Sequence, residues 1–412
     1  MGRTYILIDK RYIIENKMKK YLLTIGITIL LVGPTIASVV GQRTENIGLS
    51  DTDFDQKILH YMKLGHMPSL VACIIKNNTI VWSKAYGKYK YYQNKDASLD
   101  VIYPIGCITK SFTATAIMQL SEKGLINLDD NVSKYLNFDL KNPKYPDANI
   151  TFRMLLAHQS SLAAPSERFG FYFFWLKYPM DKFSEYFVPG GKIYSPKIWN
   201  NYPPGQGVCY CTPAYNVLGY LIERITGQTL EDYYQKNIFR PLGMMNTSFY
   251  FSSFVKSRIC GLYTYIGKRY RPLPIIEYGP FAGQGIKSTV LDLSHFLIMH
   301  ASGGIYNGVR ILSKESVEEM HKIQYPGYYD GKVLHGFGWC NTNMSGEEYG
   351  GHMGGYVGAP ALMRLRYSDN VGIIYLWNQN PYLLNSLGIY RQEEITARQQ
   401  ITEALFEKAD EL

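Results

Sequence analysis

Cysteine is scarce in this chain: six in 412 residues, at Cys73, Cys107, Cys209, Cys211, Cys260 and Cys340, with no C-x-x-C pair. A zinc site and a disulfide framework are therefore not expected. Cys209 and Cys211 are the only close pair, and in an extended segment they would point to opposite faces. Charge is also sparse. Charged residues make up 19%, and the net charge of +9 is uneven, because residues 1–20 alone hold six basic and two acidic side chains. Beyond them no dense Lys/Arg run occurs, which argues against nucleic acid as a partner. No internal repeat, no low-complexity linker after residue 45 and no H-E-x-x-H are present. His295 and His300 are five apart, off the i, i+4 spacing of a helical metal pair, and Gly283-Gln284-Gly285 is too short for a nucleotide fingerprint. No metal and no cofactor are expected.

What the chain does have is apolar bulk, 46% of residues, and 36 tyrosines. That balance is one of a packed globular protein with a sizeable core. At the N-terminus Lys17-Met18-Lys19-Lys20 precedes an apolar run from Tyr21 to about Val40. A basic start, an apolar stretch and small residues at Ala37-Ser38 read as a secretory signal, or as a membrane anchor if uncleaved. Two units follow from this: 1–45 as signal or anchor, and 46–412 as one secreted or membrane-anchored domain facing away from the cytoplasm.

Periodicity predicts a helix over 52–64 with Phe54, Ile58, Tyr61 and Met62 on one face. Residues 69–76 and 79–86 are β-rich around the turn signal Asn77-Asn78. Helices are expected over 108–123, stopped by Gly124, and over 215–226, stopped by Gly227. Thr289 and Asp292 have the spacing of a capping box. Late strands over 361–366 and 371–377 precede a closing helix from Glu393 to about Lys408. The order suggests an α/β (α+β) fold: an antiparallel sheet made from both chain ends, flanked by helices, with an inserted helical lobe from roughly 110 to 290.

The segment Ile105-Gly106-Cys107-Ile108-Thr109-Lys110-Ser111-Phe112 carries the chemical signal. A nucleophile in the first helical turn with Lys three residues on puts both side chains on one face, at the end of the helix that favours negative charge. In context, IGCITKSFTATAIMQLSEKGLINLDDNVSKYL (105–136) resembles the active-site helix of the serine β-lactamase and penicillin-binding-protein family, in its class C, esterase and D-aminopeptidase branch. Four more segments resemble that family in the same order. They are TFRMLLAHQSSL (151–162), YPPGQGVCYCTPAYNVLG (202–219), IFRPLGMMNTSF (238–249) and YGGHMGGYVG (349–358).

The resemblance implies the β-lactamase/transpeptidase-like fold and covalent acyl-enzyme catalysis on an ester, D-peptide or β-lactam-type acyl substrate. It sets Cys107 at the nucleophile, Lys110 and Tyr210 in proton transfer, and His352-Met353-Gly354 on the strand lining the opposite wall. The N–H groups of Cys107 and Gly355 would form an oxyanion hole. Thr212 and Gly354 would contact substrate. His158, within the second segment, is implied to be structural, and Gly283-Gln284-Gly285 to be a loop near the cleft.

Two departures bear on the chemistry. The nucleophile is Cys rather than Ser, and the family's Tyr-x-Asn ends in Thr212, so an amide with two donors becomes a hydroxyl. A thiolate attacks well but also leaves well. An amide adduct therefore collapses backward unless the amine is protonated promptly, by Tyr210 or His352, whereas esters and thioesters avoid the difficulty. Two other readings stay open: a catalytically silent binding or sensor domain, and a β-lactam-acylated sensor or transpeptidase. The aromatic segment 169–202 reads as lobe core or as a wall gating substrate entry.

Overall fold

The computed structural model describes residues 51–163, 182–277, 279–325, 334–344, 346–379 and 392–412. The expected signal or anchor over 21–40 lies outside the described residues, as does the first part of the aromatic segment 169–202. Among the described residues, no helix is long and apolar enough to cross a membrane.

Helix α1 (Asp51–Leu64) buries Phe54, Ile58 and Met62, one stripe at i, i+4 and i+8. Tyr61, expected on that stripe, is half-buried beside it. Strands β1 (Ser69–Lys76) and β2 (Thr79–Lys90) are joined by Asn77 and Asn78 at φ 52° and 59°. Paired positive φ values twist the turn the way the strands twist, and Asn tolerates them. Short β3 (Lys95–Asp96) and β4 (Tyr103–Pro104) follow.

The lobe begins with α2 (Thr109–Glu122), which ends before Gly124 at φ 67°. Within it lie α3 (Phe152–Leu156), α4 (Phe183–Phe187), α5 (Thr212–Thr226) and α6 (Leu230–Tyr234). Helix α5 starts three residues before the expected 215, because Pro213 is tolerated in a first turn; it stops at Gly227, φ 69°. The lobe is not purely helical. A hairpin of β5 (Leu262–Ile266) and β6 (Arg269–Leu273) turns through Gly267-Lys268, both at positive φ.

Strand β7 (Lys287–Ser288) pairs with β4 and leads into α7 (Val290–Ala301). The Thr289 hydroxyl accepts from Asp292 N, which is half of the expected capping box. The Asp292 carboxylate turns instead to Asn246 N, at 2.6 Å, and the Thr247 hydroxyl, at 2.9 Å, so it ties α7 to the lobe. Next come β8 (Ile305–Tyr306), β9 (Val309–Arg310), α8 (Lys314–His321), β10 (Leu334–His335) and β11 (Cys340–Met344). The chain closes with β12 (Glu347–Tyr356), β13 (Ala359–Arg366), β14 (Val371–Trp377) and α9 (Gln392–Glu411).

Eight strands form one antiparallel sheet in the order β10-β11-β12-β13-β14-β1-β2-β3. The two chain ends meet at its centre, where Leu70 pairs with Trp377 and Ile74 with Ile373. Strand β1 is buried on both faces, and the period of two divides its side chains. Leu70, Ala72 and Ile74 join Phe54, Ile58, Ile401 and Leu405 under α1 and α9. Val71, Cys73 and Ile75 join Phe112, Leu293 and Leu297 on the face that carries the lobe. Each fully buried aliphatic side chain contributes roughly 1.5–3 kcal/mol. The whole arrangement is the α/β fold, sheet between helical layers, that the sequence suggests.

Candidate active site

The nucleophile turn is built by backbone packing. Gly106 has φ 52°, and Gly106-Cys107-Ile108 make one tight turn into α2. Strand β12 runs directly against this turn. A Cβ added at Gly354 would lie 1.8 Å from the Ile105 carbonyl oxygen and 3.3 Å from Cys107 N; one at Gly106 would lie 2.5 Å from Gly355 N. No side chain fits at either position, so glycine is required on both sides of the contact. A second tie comes from the segment before β7: Ile105 N donates to Ile286 O at 3.0 Å, and Ile286 N to the Thr109 hydroxyl at 3.1 Å.

Lys110 is fully buried on α2. Its Nζ donates to the Gly283 carbonyl at 2.8 Å and to the Thr212 hydroxyl at 3.2 Å, and it sits 4.8 Å from the centre of the Tyr210 ring. Among the described residues it has no carboxylate partner. Burial therefore lowers its pKa, partly opposed by Cys107. Cys107 lies close enough to Lys110 and Tyr210 to influence the charge of both. The Gly283 loop is itself fixed: Gly283 N donates to Asn216 Oδ1 at 3.0 Å, and the Ala282 carbonyl accepts from Thr113, whose oxygen accepts from Tyr234.

Tyr210 lies in the stretch before α5, held on both sides by one residue. Cys209 N donates to the His158 carbonyl at 2.9 Å, and Cys211 N donates to His158 Nδ1 at 3.1 Å. His158 adopts φ 61° to do this, and its ring centre lies 4.6 Å from that of Tyr210. Because Nδ1 accepts a backbone proton, the neutral ring carries its own proton on Nε2. Burial, together with His335 and Lys110, holds the His158 pKa well below the usual histidine value. The Tyr210 phenol is pushed the other way, well above its usual value, by burial first and then by Cys107.

His352 comes from β12, on the same face as Gly354. Its ring centre is 6.1 Å from that of Tyr210. Its Nδ1 can only donate to the Met353 carbonyl, 2.8 Å away, which leaves Nε2 without a proton. Burial, reinforced by Lys110, lowers its pKa to about 3, so the ring is neutral at pH 7. His335 completes the wall, with its ring 5.8 Å from Tyr210 and 5.2 Å from His158, and Cys340 Sγ lies 3.9 Å from its Nδ1.

Cys107, Lys110, Tyr210, Thr212, His352, Gly354 and Gly355 thus come together although they stem from three distant parts of the chain. The sequence reading left His335 and Cys340 out of the site, since they carry no motif of their own, and gave Asn216 no role although it lies within the 202–219 segment. It set His158 apart as structural; the ring stands inside the cleft while its backbone and Nδ1 support Tyr210. His295 and His300 go elsewhere. His295 Nδ1 lies 2.9 Å from the Leu242 carbonyl, and His300 Nδ1 lies 3.1 Å from His321 Nε2. The six cysteines are free, with Cys211 buried and Cys209 half-buried. Among the described residues, no group of three or more His, Cys, Asp or Glu is disposed to hold a metal ion.

Residues 54–394 match the family model described as Beta-lactamase. The chain is 29% identical over 338 residues to Beta-lactamase-like protein 4 of Dictyostelium discoideum, covering 76% of this chain and 57% of that one. It is 29% identical over 207 residues to Protein flp of Staphylococcus aureus, covering 48% and 38%. The chain spans about half the length of the curated relatives it matches. Among solved structures, the octameric penicillin-binding protein homologue from Pyrococcus abyssi aligns with a TM-score of 0.69 at 29% identity, covering 80% of this chain and 74% of that one. D-amino acid amidase from Ochrobactrum anthropi SV3 aligns with a TM-score of 0.64 at 19% identity, covering 87% and 99%, a likeness of fold. With the family model matched over most of its length and the sheet, lobe and cleft arranged as described, this chain belongs to the β-lactamase family.

Proposed function

We propose that the protein is a hydrolase of acyl substrates that works through an acyl-enzyme on Cys107. The observation that carries this reading is the meeting of thiol, buried amine and phenol in one cleft of a β-lactamase-family chain. Family membership supports the hydrolase class; the thiol, the substrate and the roles below are our reading.

Lys110, with its pKa lowered by burial, takes the Cys107 proton. The sulfur attacks the acyl carbon, and the carbonyl oxygen takes up negative charge facing the N–H groups of Cys107 and Gly355. Tyr210 stays protonated because its pKa is raised, so it gives its proton to the leaving oxygen and is restored from protonated Lys110. Water then attacks the thioester, with Lys110 again taking the proton. His352 has no proton on Nε2 to give, so it serves as an acceptor beside the substrate, and protonation of the leaving group falls to Tyr210 alone. Thr212 holds Lys110 through its hydroxyl and offers no amide to a substrate carbonyl. Esters, thioesters and activated amides suit this site better than plain peptides, because their leaving groups need less help than an amine does.

The test is intact-mass measurement after incubation with p-nitrophenyl esters, D-amino acid amides and β-lactams. A stable or transient acyl adduct on Cys107, absent in Cys107→Ala, is expected. No adduct and no turnover with any of them would leave the silent binding domain standing. We also propose delivery across a membrane through residues 21–40, supported by the Lys-rich start and the apolar run. A reporter fused after residue 45 that stayed in the cytoplasm would refute it.

A further inference from the structure

Away from the catalytic cleft, a groove of about 670 Å³ is lined by Lys63, His66, Tyr91, Tyr92, Tyr265, Lys268, Arg269, Tyr270 and Arg271. None of these residues belongs to the cleft. They come from three separate stretches: the end of α1, the turn after β2, and the hairpin of β5 and β6. Four of the nine are Lys or Arg, and no carboxylate is among them. Lys63, Lys268, Arg269 and Arg271 make no ion pair among the described residues. At His66, the Glu393 carboxylate lies 4.0 Å from Nε2. Four exposed cations around one concavity give it a positive potential that draws an anion.

The rest of the lining is flat and aromatic. Tyr91 and Tyr92 are 43% and 62% exposed, unusual for rings of that size on a packed domain. They are nevertheless held in place. Tyr91 N donates to the Tyr263 hydroxyl at 2.9 Å, and the Tyr92 hydroxyl donates to the Tyr270 carbonyl. The Tyr91 and Tyr270 rings meet at 4.6 Å, and His66 stacks on Tyr265 at 3.8 Å. A fixed open ring beside paired cations is the arrangement that reads a ring and an anion together, the ring by stacking and the anion by Arg and Lys. The size falls within the range of small-molecule sites, roughly 300–1,000 Å³.

We propose that this groove is a binding site for a small ligand that joins a ring, base or sugar, to phosphate groups. The phosphates lie against Lys268, Arg269 and Arg271, and the ring lies on Tyr92. This site is independent of the hydrolase reading, so failure of one leaves the other untouched.

The test is calorimetric titration of the full chain at low salt with ADP and with glucose 6-phosphate, alongside adenosine, glucose and pyrophosphate. At least one of the two ring phosphates should bind saturably, about tenfold or more tighter than either its bare ring or pyrophosphate. Which of the two binds distinguishes base from sugar. Lys268→Ala with Arg271→Ala should weaken that binding about tenfold or more while the thermal midpoint and ester hydrolysis stay unchanged. Tyr92→Ala should weaken the ring phosphate and leave pyrophosphate unaltered. Equal affinity for pyrophosphate and ring phosphates would overturn the proposal, because it reduces the groove to a patch of charge. So would the absence of saturable binding by both ring phosphates at millimolar concentration, or binding unaffected by the double substitution.

Discussion

Strands β1 and β12 lie in one sheet and are held there by opposite means. SLVACIIK is a continuous apolar strand, and both of its faces sink into side-chain clusters. EEYGGHMGGY buries Tyr349 and Tyr356 in the two clusters, and between them the backbone of Gly354 and Gly355 lies against the turn that bears Cys107. Burial is non-directional, so β1 tolerates small shifts and repacking. Backbone contact is directional, so β12 fixes the distance between two walls of a cleft and tolerates nothing larger than a hydrogen at Gly354. The first strand stabilises the domain; the second sets geometry.

Breaking the catalytic side of that contrast should give the largest effect. Cys107→Ala should lower ester hydrolysis by about 10³-fold or more, since loss of a nucleophile from a cooperating set costs up to about 10⁶-fold, with the thermal midpoint nearly unchanged. Cys107→Ser sharpens the point, because Lys110 and Tyr210 remain in place. Gain of amide or β-lactam turnover in that variant would show that the thiol restricts the chemistry.

Next is Gly354→Ala. The added methyl cannot coexist with the Ile105 carbonyl at 1.8 Å, so the nucleophile turn must move. Displacement on the scale of 1 Å costs about 10²-fold in rate, and acylation followed by mass should slow by that order. Acylation at the wild-type rate would mean that β12 does not set the geometry.

The stabilising side breaks differently. Ile75 of β1 is buried among the lobe-side cluster, and Ile75→Ala should cost about 2–5 kcal/mol in urea unfolding. The surviving folded fraction should still acylate normally. A loss of acylation without a loss of stability would erase the distinction between the two strands.

The smallest effect expected per residue is acid lability. Burial holds the folded-state pKa of His321 and His352 at about 3, against roughly 6.5 in the unfolded chain. A histidine lowered in this way takes up its proton more readily when unfolded. Its contribution is complete above pH 6.5 and is lost as pH falls toward 3, at up to about 1.4 kcal/mol per pH unit for each group. His158 and His300 act in the same direction. Urea midpoints should therefore fall between pH 7 and 5, and His321→Phe should flatten the profile without changing acylation at pH 7. A profile flat from pH 7 to 5 in the wild type would contradict the buried, neutral state of these rings.

Much of the architecture is local and so was open to reading. Asn77-Asn78, Gly124 and Gly227 act within one turn of chain, and positive φ there is a property of the residue types. The strand β1 announces itself by eight consecutive residues with little polarity. The hairpin of β5 and β6 was missed although Gly267-Lys268 between aromatic runs is a turn signal; β5 is buried over Leu262–Thr264 and β6 carries exposed Arg269 and Arg271, so neither shows the apolar/polar alternation that marks a half-buried strand. The capping box was half right, because Asp292 found stronger partners 46 residues away at Asn246.

By itself the sequence determined the order of elements, the family, and the chemical types at the nucleophile turn, because motif and turn chemistry act over a few residues. Tertiary structure alone decided which side chains meet. Tyr210 reaches Cys107 only because His158, in a left-handed conformation, grips Cys209 and Cys211 from 51 and 53 residues away. Lys110 loses its water, and with it part of its basicity, only because the Gly283 loop and Thr212 close over it. The proton on His352 is fixed to one nitrogen by the Met353 carbonyl beside it. Burial and hydrogen bonding in a cleft depend on surfaces from several segments at once, and no spacing along the chain encodes that.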